Sequence, residues 1–446
     1  MADVGERIET ESPFSQRISP AYRRYAIGLL FTIFTLNFVD RQIIGILAEP
    51  IKLDLGLKDW QIGAMSGLSF AIFYSTLGIP IARYAEYGHR PRIIAVAVTT
   101  WSLFTVLCGF ANSFVQLLLA RLAVGAGEAG GAPPSTSLIV DYVPRERRSS
   151  ALATFSMGGP LGALLGLAVG GLAVDALGWR WAFVLVGAPG LIAGLMVSRL
   201  REPRTELTDS ARAVSAASRL KWREALRLLG ACRTYRLFCF GGASQGLIAY
   251  GHSAFTAAFF FRVHGLELDA VAASFGLGKA GFLGLTLGFG AGLSGIAGTY
   301  LGGKLGDRFG MKSPKAFAYI MAIANLVAIP VYIMALWAPS LGLAIVLVSA
   351  TSAIYGMTYG PLFTVIQSVT KPDMRATASA VYLLSTNLIG LGLGPLVAGL
   401  LSDYLAGYLG SAEGLRWAQI ITTFIGFAAA WSYGRSRKWI VADLKY

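Results

Sequence analysis

The chain has 446 residues, of which 55% are hydrophobic and only 14% are charged. Soluble domains carry about a quarter charged residues, so this composition excludes an ordinary soluble protein and indicates a membrane protein. The net charge of +14 does not indicate a nucleic-acid partner, because the basic residues fall in short segments between long apolar runs. The three cysteines, Cys108, Cys232 and Cys239, match neither a disulfide framework nor a metal site by spacing.

Twelve apolar stretches are long enough to cross a bilayer, which takes roughly 20 residues as a helix. Each must be helical, because lipid offers no partner for backbone polar groups. We name them spans one to twelve and predict them at 25–48, 61–82, 92–111, 114–140, 150–175, 181–198, 237–261, 282–303, 315–337, 341–369, 376–401 and 417–434. The sequence does not indicate the path of 265–281, a mildly amphipathic piece before span eight.

The distribution of lysine and arginine predicts the orientation of the chain. Thirty of these 38 residues lie in the termini and in the loops on the same side, six lie in the opposite loops, and two lie within spans. Positive loops remain in the cytoplasm, so both termini are predicted to be cytoplasmic in a multi-pass protein of the cell membrane. The polar segment 1–24 lacks the apolar stretch and cleavage site of a signal peptide.

The two halves of the sequence repeat each other. Three pairs of similar segments are separated by 221, 228 and 236 residues: 82–90 with 303–312, Pro144 with Pro372, and 180–182 with 416–418. The predicted organisation is a segment 1–24, a six-helix bundle 25–198, a linker 199–236 with an amphipathic surface helix at 219–229, a second bundle 237–434 and a tail 435–446. Transporters built from such repeats bind solute where the two halves meet.

The loops after spans two and eight carry a recognisable pattern. The second copy reads Gly303-x-x-x-Asp307-Arg308-x-Gly310-x-Lys312, and the first is a degraded Ala82-x-x-x-Glu86 with Arg90 following. The chain thereby resembles the major facilitator superfamily over nearly its whole length, which implies two pseudo-symmetric six-helix bundles. The resemblance also implies a cytoplasmic gate at Gly303, Asp307, Arg308, Glu86 and Arg90 that latches helix ends in the outward-facing state. An ordinary tight loop with solvated charges is the alternative.

Within that superfamily the chain is similar to the Spinster-like group. Three features carry the likeness: Asn37-Phe38-Val39-Asp40-Arg41 in span one, Arg121-x-x-x-Gly125-x-Gly127-Glu128-Ala129 in span four, and the loop 141–148. Organic-anion symporters share the span-four string, whereas the Asp-Arg pair favours Spinster-like proteins. The resemblance implies transport of sphingolipids or lysophospholipids, with proton coupling.

Four charged residues are predicted at mid-membrane, where an ionisable group indicates function. At ~1.5 Å per residue, Asp40 lies roughly 20 Å or more from the cytoplasmic face, and Arg121 roughly 12 Å below the opposite face of a ~30 Å core. Asp40 and Arg121 therefore lie at similar depth and are predicted to pair. Arg41 faces elsewhere, toward Glu128 or the cavity, where it can bind a solute headgroup. A purely structural ion-pair network is the alternative.

Glu128 is the predicted proton carrier, because glycine and alanine flank it and burial favours the neutral form of a carboxyl. Asp40 and His252 are the alternatives. The C-terminal spans contain no Asp, Glu, Lys or Arg near mid-membrane. Their cavity candidates are polar or aromatic: Gln245, His252, Phe255, Phe259, Tyr355, Tyr359 and Asn387. A cavity charged on one wall and aromatic on the other suits an amphiphile, although such aromatics also pack helices.

Pro160 and Pro395 follow glycines in spans five and eleven and are predicted hinges, with close packing as the alternative. The function predicted is proton-coupled transport of an amphiphilic solute by alternating access, by a monomer that needs no cofactor or metal. Its partners are the bilayer, the solute and protons. The alternatives are an organic-anion or drug carrier and a receptor that moves nothing. An enzyme is not indicated, because no nucleophile–base pair, metal-ligand cluster or phosphate-binding loop is recognisable.

Overall fold

A computed structural model describes residues 15, 18–144, 147–203, 222–310, 312–371 and 374–444. The described chain is almost entirely helical. Seven helical stretches of the described residues are long and apolar enough to cross a membrane, when short turns and π-helical segments within a stretch are counted as part of it. Most of the other predicted spans are built from consecutive shorter helices, separated by a turn or by a π-helical segment.

The N-terminal half contains spans one to six. Span one is a single helix, Pro20–Leu55, which begins where Ser19 accepts the Tyr22 N–H and ends at Gly56 in the left-handed conformation (φ 62°). The remaining elements are Asp59–Gly63, the π-helix Ala64–Leu68 and Ser69–Tyr87 for span two, Arg90–Cys108 for span three, Phe114–Glu128 and Ala132–Tyr142 for span four, and Arg148–Ser156 followed by Gly158–Ser198 for spans five and six.

The C-terminal half begins with the linker helix Trp222–Ala231, in the region where an amphipathic helix was predicted. Its other elements are Arg233–Val263 for span seven, a short helix Gly265–Ser274, Lys279–Leu305 and the π-helix Gly306–Gly310 for span eight, Lys315–Leu336 for span nine, Leu341–Gly356 and Tyr359–Ser368 for span ten, Arg375–Ser385, the π-helix Thr386–Leu391 and Gly392–Leu409 for span eleven, Ser411–Thr423 and Ile425–Ser436 for span twelve, and Ile440–Asp443. The path of 265–281 is thus a short helix, a turn and the start of span eight.

The turn between the last two spans is the same in both halves. The helix Gly158–Ser198 is interrupted at Gly178 (φ 81°, ψ 166°), where span five gives way to span six. Gly410 joins spans eleven and twelve with φ 83° and ψ 164°. A positive φ of this size suits glycine and strains other residues. The matching geometry supports the duplication that the sequence predicts.

The two halves pack tightly at one end only. We call the end near Pro20 and Ser436 the terminal face, and the end near Leu55 the far face. Along span eight, a Cβ added at Gly284 would collide with the Leu167 carbonyl of span five, one at Gly288 would lie 2.9 Å from the Leu164 carbonyl, and one at Gly295 would meet nothing within 4 Å. Contact between spans five and eight is therefore lost toward the terminal face, and we call the space between the halves on that side the cleft.

Candidate functional site

Asp40 lies on span one and is only 2% exposed. The Thr105 hydroxyl of span three donates a 2.7 Å hydrogen bond to its Oδ2 atom. Its other oxygen, Oδ1, is buried and has no hydrogen-bond partner among the described residues. A carboxylate with half of its acceptors unfilled is costly to bury, so this position is a place where protonation would relieve the structure.

Arg121 of span four lies beside Asp40, as the depth argument predicts. However, the guanidinium donates to the Asp40 backbone carbonyl at 3.4 Å rather than to the carboxylate. No ion pair within 4 Å joins the two side chains in the described part of the chain. The two predicted partners therefore meet through the Asp40 backbone in this structure, and not through a salt bridge. The hydroxyl of Thr105, which the depth argument did not consider, donates a hydrogen bond to the carboxylate instead.

Arg41 and Glu128 form an ion pair, with 2.7 Å between Arg41 Nε and Glu128 Oε2. This is one of the two directions predicted for Arg41. The Glu128 side chain is fully buried, whereas that of Arg41 retains 22% exposure and also lies over the Phe38 ring at 5.2 Å. The pair thus joins a buried acid to a base that keeps access to the cleft. Asp40, Arg41, Arg121 and Glu128, which we call the charge group, are brought together by spans one and four.

A small cavity lies next to the charge group on its terminal-face side. It holds about 10 Å³, roughly the space of one water molecule. Among its lining residues are Asn37 and Ser135, and Asn37 also neighbours the Glu128 carboxylate. The rest of the wall is mostly apolar, so a water in this cavity would have to bind at Asn37 and Ser135, where it could exchange a proton with Glu128.

In the described part of the C-terminal half, the polar side chains around Gln245 are neutral. Gln245 of span seven donates to the Thr358 hydroxyl at 2.9 Å and accepts from Asn325 at 3.4 Å. Tyr359 is exposed, and the Tyr355 hydroxyl is buried without a hydrogen-bond partner among the described residues. Gln245, Tyr355 and Asn387 are half-buried.

His252 does not line an open cavity in this conformation. It is 5% exposed, its ring stacks on Tyr332 with centroids 4.0 Å apart, and the hydroxyls of Thr422 and Thr423 lie 3.3 Å from its Nε2 atom. It therefore lies inside the C-terminal bundle, between spans seven, nine and twelve. Phe255 and Phe259, also predicted to line the cavity, are each 1% exposed and belong to an apolar core shared by both halves.

The predicted cytoplasmic gate is only partly assembled. Asp307 and Arg308 lie in the π-helix Gly306–Gly310, and both are exposed. Neither has an ion-pair partner among the described residues; Arg308 stacks on the adjacent Phe309 ring at 5.6 Å. A Cβ added at Gly303 would meet nothing within 4 Å, although the Gly303 backbone lies close to Gly360 of span ten. The side chain of Glu86 lies outside the described residues.

Arg90 does not connect the two halves in this structure. It is completely buried and pairs with Asp141 at 2.6 Å, and its Nε donates to Glu202 at 3.0 Å. These partners tie the ends of spans three, four and six together within the N-terminal half. Sequence reasoning missed Glu202, because it lies directly after span six in a linker that reads as a solvated segment.

Sequence reasoning also missed an ion-pair network at the far face. Asp59, at the start of span two, accepts from Lys52 at 2.6 Å and from Arg262 of span seven at 2.8 Å. Arg262 also pairs with Glu49 at 2.6 Å, and the Ser402 hydroxyl donates to Asp59 at 2.6 Å. The network therefore links spans one and two to spans seven and eleven. Each residue lies in a short far-face loop or at a helix end, where a charge looks like ordinary solvated polarity.

The predicted hinges lie in different surroundings. Pro160 is exposed near the break at Met157 that separates the two helices of span five. Pro395 is buried, and its backbone and ring pack against Gly63 and Gly67 of span two. The structure therefore places Pro395 in an interface between the halves. Whether either proline bends during transport stays a prediction.

The model of the Major Facilitator Superfamily matches residues 30–395. The chain belongs to that superfamily. It is 33% identical, over 90% of its own length and 89% of the relative's, to an MFS-type efflux pump of Mycolicibacterium smegmatis. It is also 23% identical to protein spinster homolog 1 of Homo sapiens, over 96% of this chain and 83% of that protein.

A solved structure extends the likeness to the fold. A bacterial homologue of the human lysosomal transporter Spinster, in an inward-facing and unoccupied conformation, has a TM-score of 0.86 and 32% identity, covering 96% of this chain and all of the other. The predicted fold and the Spinster-like resemblance are thus confirmed. This facilitator is a multi-pass membrane transporter, which disfavours the predicted alternative of a receptor.

Proposed function

We propose that this facilitator is a proton-coupled secondary transporter of an amphiphilic solute of the lysolipid or sphingolipid class. The observation that carries the proposal is the ion pair between the buried Glu128 and the partly exposed Arg41. The terminal face is cytoplasmic and open, and the protein works as a monomer in the cell membrane by alternating access. The likeness to an inward-facing Spinster homologue supports the state assigned to this conformation.

The ion pair couples a proton to the solute through Arg41. While Glu128 is ionised, Arg41 neutralises it, and separating the two would leave a carboxylate alone in a low-dielectric site. Protonation of Glu128 removes that cost and releases the guanidinium toward the cleft. Arg41 can then bind an anionic headgroup, because guanidinium makes strong, bidentate hydrogen bonds to phosphate and carboxylate. Solute binding and Glu128 ionisation therefore compete for one cation.

The opposite wall of the cleft suits the apolar part of such a solute. Tyr359 is exposed on span ten, and Gln245 offers a neutral hydrogen-bonding group on span seven. No lysine or arginine of the described C-terminal half lies near mid-membrane, so a headgroup charge has its partner on the N-terminal wall. A solute with one charged end and one apolar end matches this division.

A second candidate is an organic-anion or drug carrier. The 33% identity to an MFS-type efflux pump favours it, because the match covers about nine-tenths of both chains. The same charge group would serve this function, since Arg41 can neutralise any compact anion. The two candidates differ in the length of the apolar part of the solute that they accept.

Transport by the purified protein in liposomes separates these candidates. A panel of lysophospholipids, sphingoid lipids and compact aromatic anions would be offered with and without an imposed pH gradient. The proposal expects pH-driven movement of the single-chain lipids, with compact anions moved slowly. The reverse order favours the drug carrier, and equal fluxes with and without the gradient contradict proton coupling.

A further inference from the structure

The far face contains a second repeat that joins the two halves. Span five carries Gly171-x-x-x-Asp175, and span eleven carries Gly399-x-x-x-Asp403. The two copies are separated by 228 residues, which is one of the separations already found between the halves. We call them the GxxxD motifs. Each of them lies against the first turn of a helix from the opposite half.

The two carboxylates make equivalent contacts. Asp403 accepts the backbone N–H groups of Asp59 and Trp60 in span two, at 3.0 and 2.8 Å. Asp175 accepts the backbone N–H groups of Ala280 and Gly281 in span eight, at 3.2 and 2.6 Å. In both copies each carboxylate oxygen takes one of two successive N–H groups. The acceptors are separated by 228 residues and the donors by 221, so the contact is part of the duplication.

These N–H groups need partners from outside their own helix. The first turn of a helix has no intrahelical acceptor for its N–H groups, and it carries the positive end of the helix dipole. A carboxylate is the side chain best suited to fill that role, because its hydrogen bonds are charge-assisted. Each GxxxD motif therefore supplies, from one half, the cap that the other half lacks.

The glycines of the motifs allow the contact to form. A Cβ at Gly399 would collide with the Asp59 carbonyl, and one at Gly171 would collide with the Ala280 carbonyl. The helices can approach closely only because both positions lack a side chain. Glycine and aspartate, one turn apart, thus act on the same contact by separate means, backbone approach and capping.

The copies differ in what surrounds them. In the span-two contact, Asp59 also binds Arg262 and Lys52, so an ion-pair network adds to the cap. Ala280 stands at the equivalent place in span eight and offers no such carboxylate. Ion pairs therefore strengthen only the span-two contact, whereas the capping hydrogen bonds of the aspartates are present at both contacts.

We propose that the two GxxxD motifs are the outer latch of the transport cycle, with Asp175 and Asp403 as positioning residues that hold the far face closed. The proposal rests on alternating access, as part of the proposed function. Opening the far face must separate span two from span eleven and span five from span eight. Both caps and both glycine contacts are then lost together, so they stabilise only the state with a closed far face.

Distances between spin labels at positions 53 and 266 test the latch. Leu53 and Leu266 are exposed at the far face, one in each half. The measurement needs neither solute nor a pH gradient, so its outcome does not depend on coupling or substrate. Asp175→Ala and Asp403→Ala should each raise the longer-distance population relative to the shorter about tenfold. The double variant should show roughly the product, since the caps share no partner.

Asp54→Ala is the matched control, because Asp54 is a far-face acid whose partners, Trp179 and Arg180, lie in its own half. It should leave the distances unchanged. An equal shift in this control would reduce the effect to the general loss of a surface charge and overturn the latch. Unchanged distances in the double variant would overturn it as well.

Glycine variants keep the test decisive if an aspartate variant does not fold. Gly171→Ala and Gly399→Ala should shift the distances in the same direction, because the added methyl group collides only in the closed state. Gly407→Ala is their control, since a Cβ there meets nothing within 4 Å on the same span eleven. Opposite or absent shifts at 171 and 399, with Gly407→Ala also silent, would contradict the proposal.

Discussion

Spans one and four carry four charged side chains at mid-membrane, whereas spans seven and ten, their counterparts in the other half, carry glutamine, histidine and tyrosine. The difference is larger than residue type. In the N-terminal half, Asp40 Oδ1, Arg121 Nε and Glu128 Oε1 are buried without hydrogen-bond partners among the described residues. In the C-terminal half, His252 stacks on Tyr332, and two threonine hydroxyls lie within hydrogen-bond distance of its Nε2 atom.

The C-terminal half also has buried polar atoms without partners, such as the Tyr355 hydroxyl and Gln419 Nε2, but these belong to neutral side chains, whereas the three atoms of the charge group belong to ionisable ones. A buried charge that is incompletely paired costs free energy that a proton or an anion can recover, so the N-terminal interior is poised to bind. A neutral, well-packed polar group has no such incentive. The comparison teaches that duplication of the fold need not duplicate the chemistry. One half can carry the coupling, while the other supplies a wall and a partner for rocking.

The strongest test of this difference between the halves is a pair of matched substitutions, Glu128→Gln and His252→Gln. Glu128→Gln removes the ionisable group, keeps the shape and leaves Arg41 permanently released. It should abolish uphill, pH-driven accumulation, a loss of 100-fold or more, which corresponds to about 2.7 kcal/mol. His252→Gln should retain most of it. Accumulation in proteoliposomes measures both.

A carrier whose Glu128→Gln variant still concentrates solute against its gradient does not use that residue for coupling. If His252→Gln loses accumulation instead, the proton belongs to the C-terminal half and the comparison is reversed. Exchange of labelled solute at equal concentrations is the control, because it needs no net proton movement. Exchange by Glu128→Gln would show that the variant is folded and able to bind.

The sequence predicted the fold well because bilayer thickness fixes the length of every span, and lipid leaves helix as the only choice for each. It also predicted Glu128 as one of the two directions open to Arg41, since depth along two antiparallel helices can be counted from their ends. Depth alone does not give the direction of a side chain around the bundle. For that reason it missed Thr105, whose hydroxyl holds Asp40 from a third helix.

The far-face contacts were harder to predict for a different reason. Asp175, Asp403 and Asp59 lie at helix ends near water, where an acid is unremarkable in composition. Their function depends on which helix end of the other half is adjacent, and no periodicity within one span carries that information. The spacing between copies did carry it, because donors and acceptors recur at the separations of the halves. The gate function of Arg90 stays a prediction, and in this structure Arg90 joins helix ends within the N-terminal half.

Substitutions within the charge group should have an intermediate effect on the transport rate. Asp40→Asn and Arg121→Gln should each slow transport about tenfold, or ~1.4 kcal/mol. The formal charges of the charge group cancel, and each substitution leaves one buried charge without a counter-charge. The double variant should lose less than the product of the two. Initial rates in proteoliposomes, with Thr105→Val to remove the hydroxyl alone, measure the coupling between these residues.

Independent losses in that double variant would mean that the contact through the Asp40 backbone is the whole interaction. Thr105→Val removes the donor to Asp40 Oδ2 without changing any charge. It should have a smaller effect than Asp40→Asn. If Thr105→Val slows transport as much as Asp40→Asn does, the orientation of the Asp40 carboxylate matters more than its charge.

The smallest effect expected is at the terminal face, where the loop after span eight is intact and the copy after span two is degraded. Asp307 is exposed and has no ion-pair partner among the described residues, as a latch that closes the terminal face should be when that face is open. Asp307→Asn should shift the ensemble further toward the open terminal face. The pair it would form is partly shielded by solvent, which limits the shift to less than about tenfold. Glu86→Gln should shift it less.

A single cysteine placed in the wall of the cleft reports this shift as a change in labelling rate by a maleimide added from the terminal face. The background must lack Cys108, Cys232 and Cys239, although burial raises the pKa of the Cys232 thiol to about 11 and slows its reaction. Equal acceleration by Glu86→Gln and Asp307→Asn would show that the degraded copy still functions. No change at Asp307 would leave the loop as a connector. Closure would then depend on the far face alone, where the GxxxD motifs set which side of the protein is open.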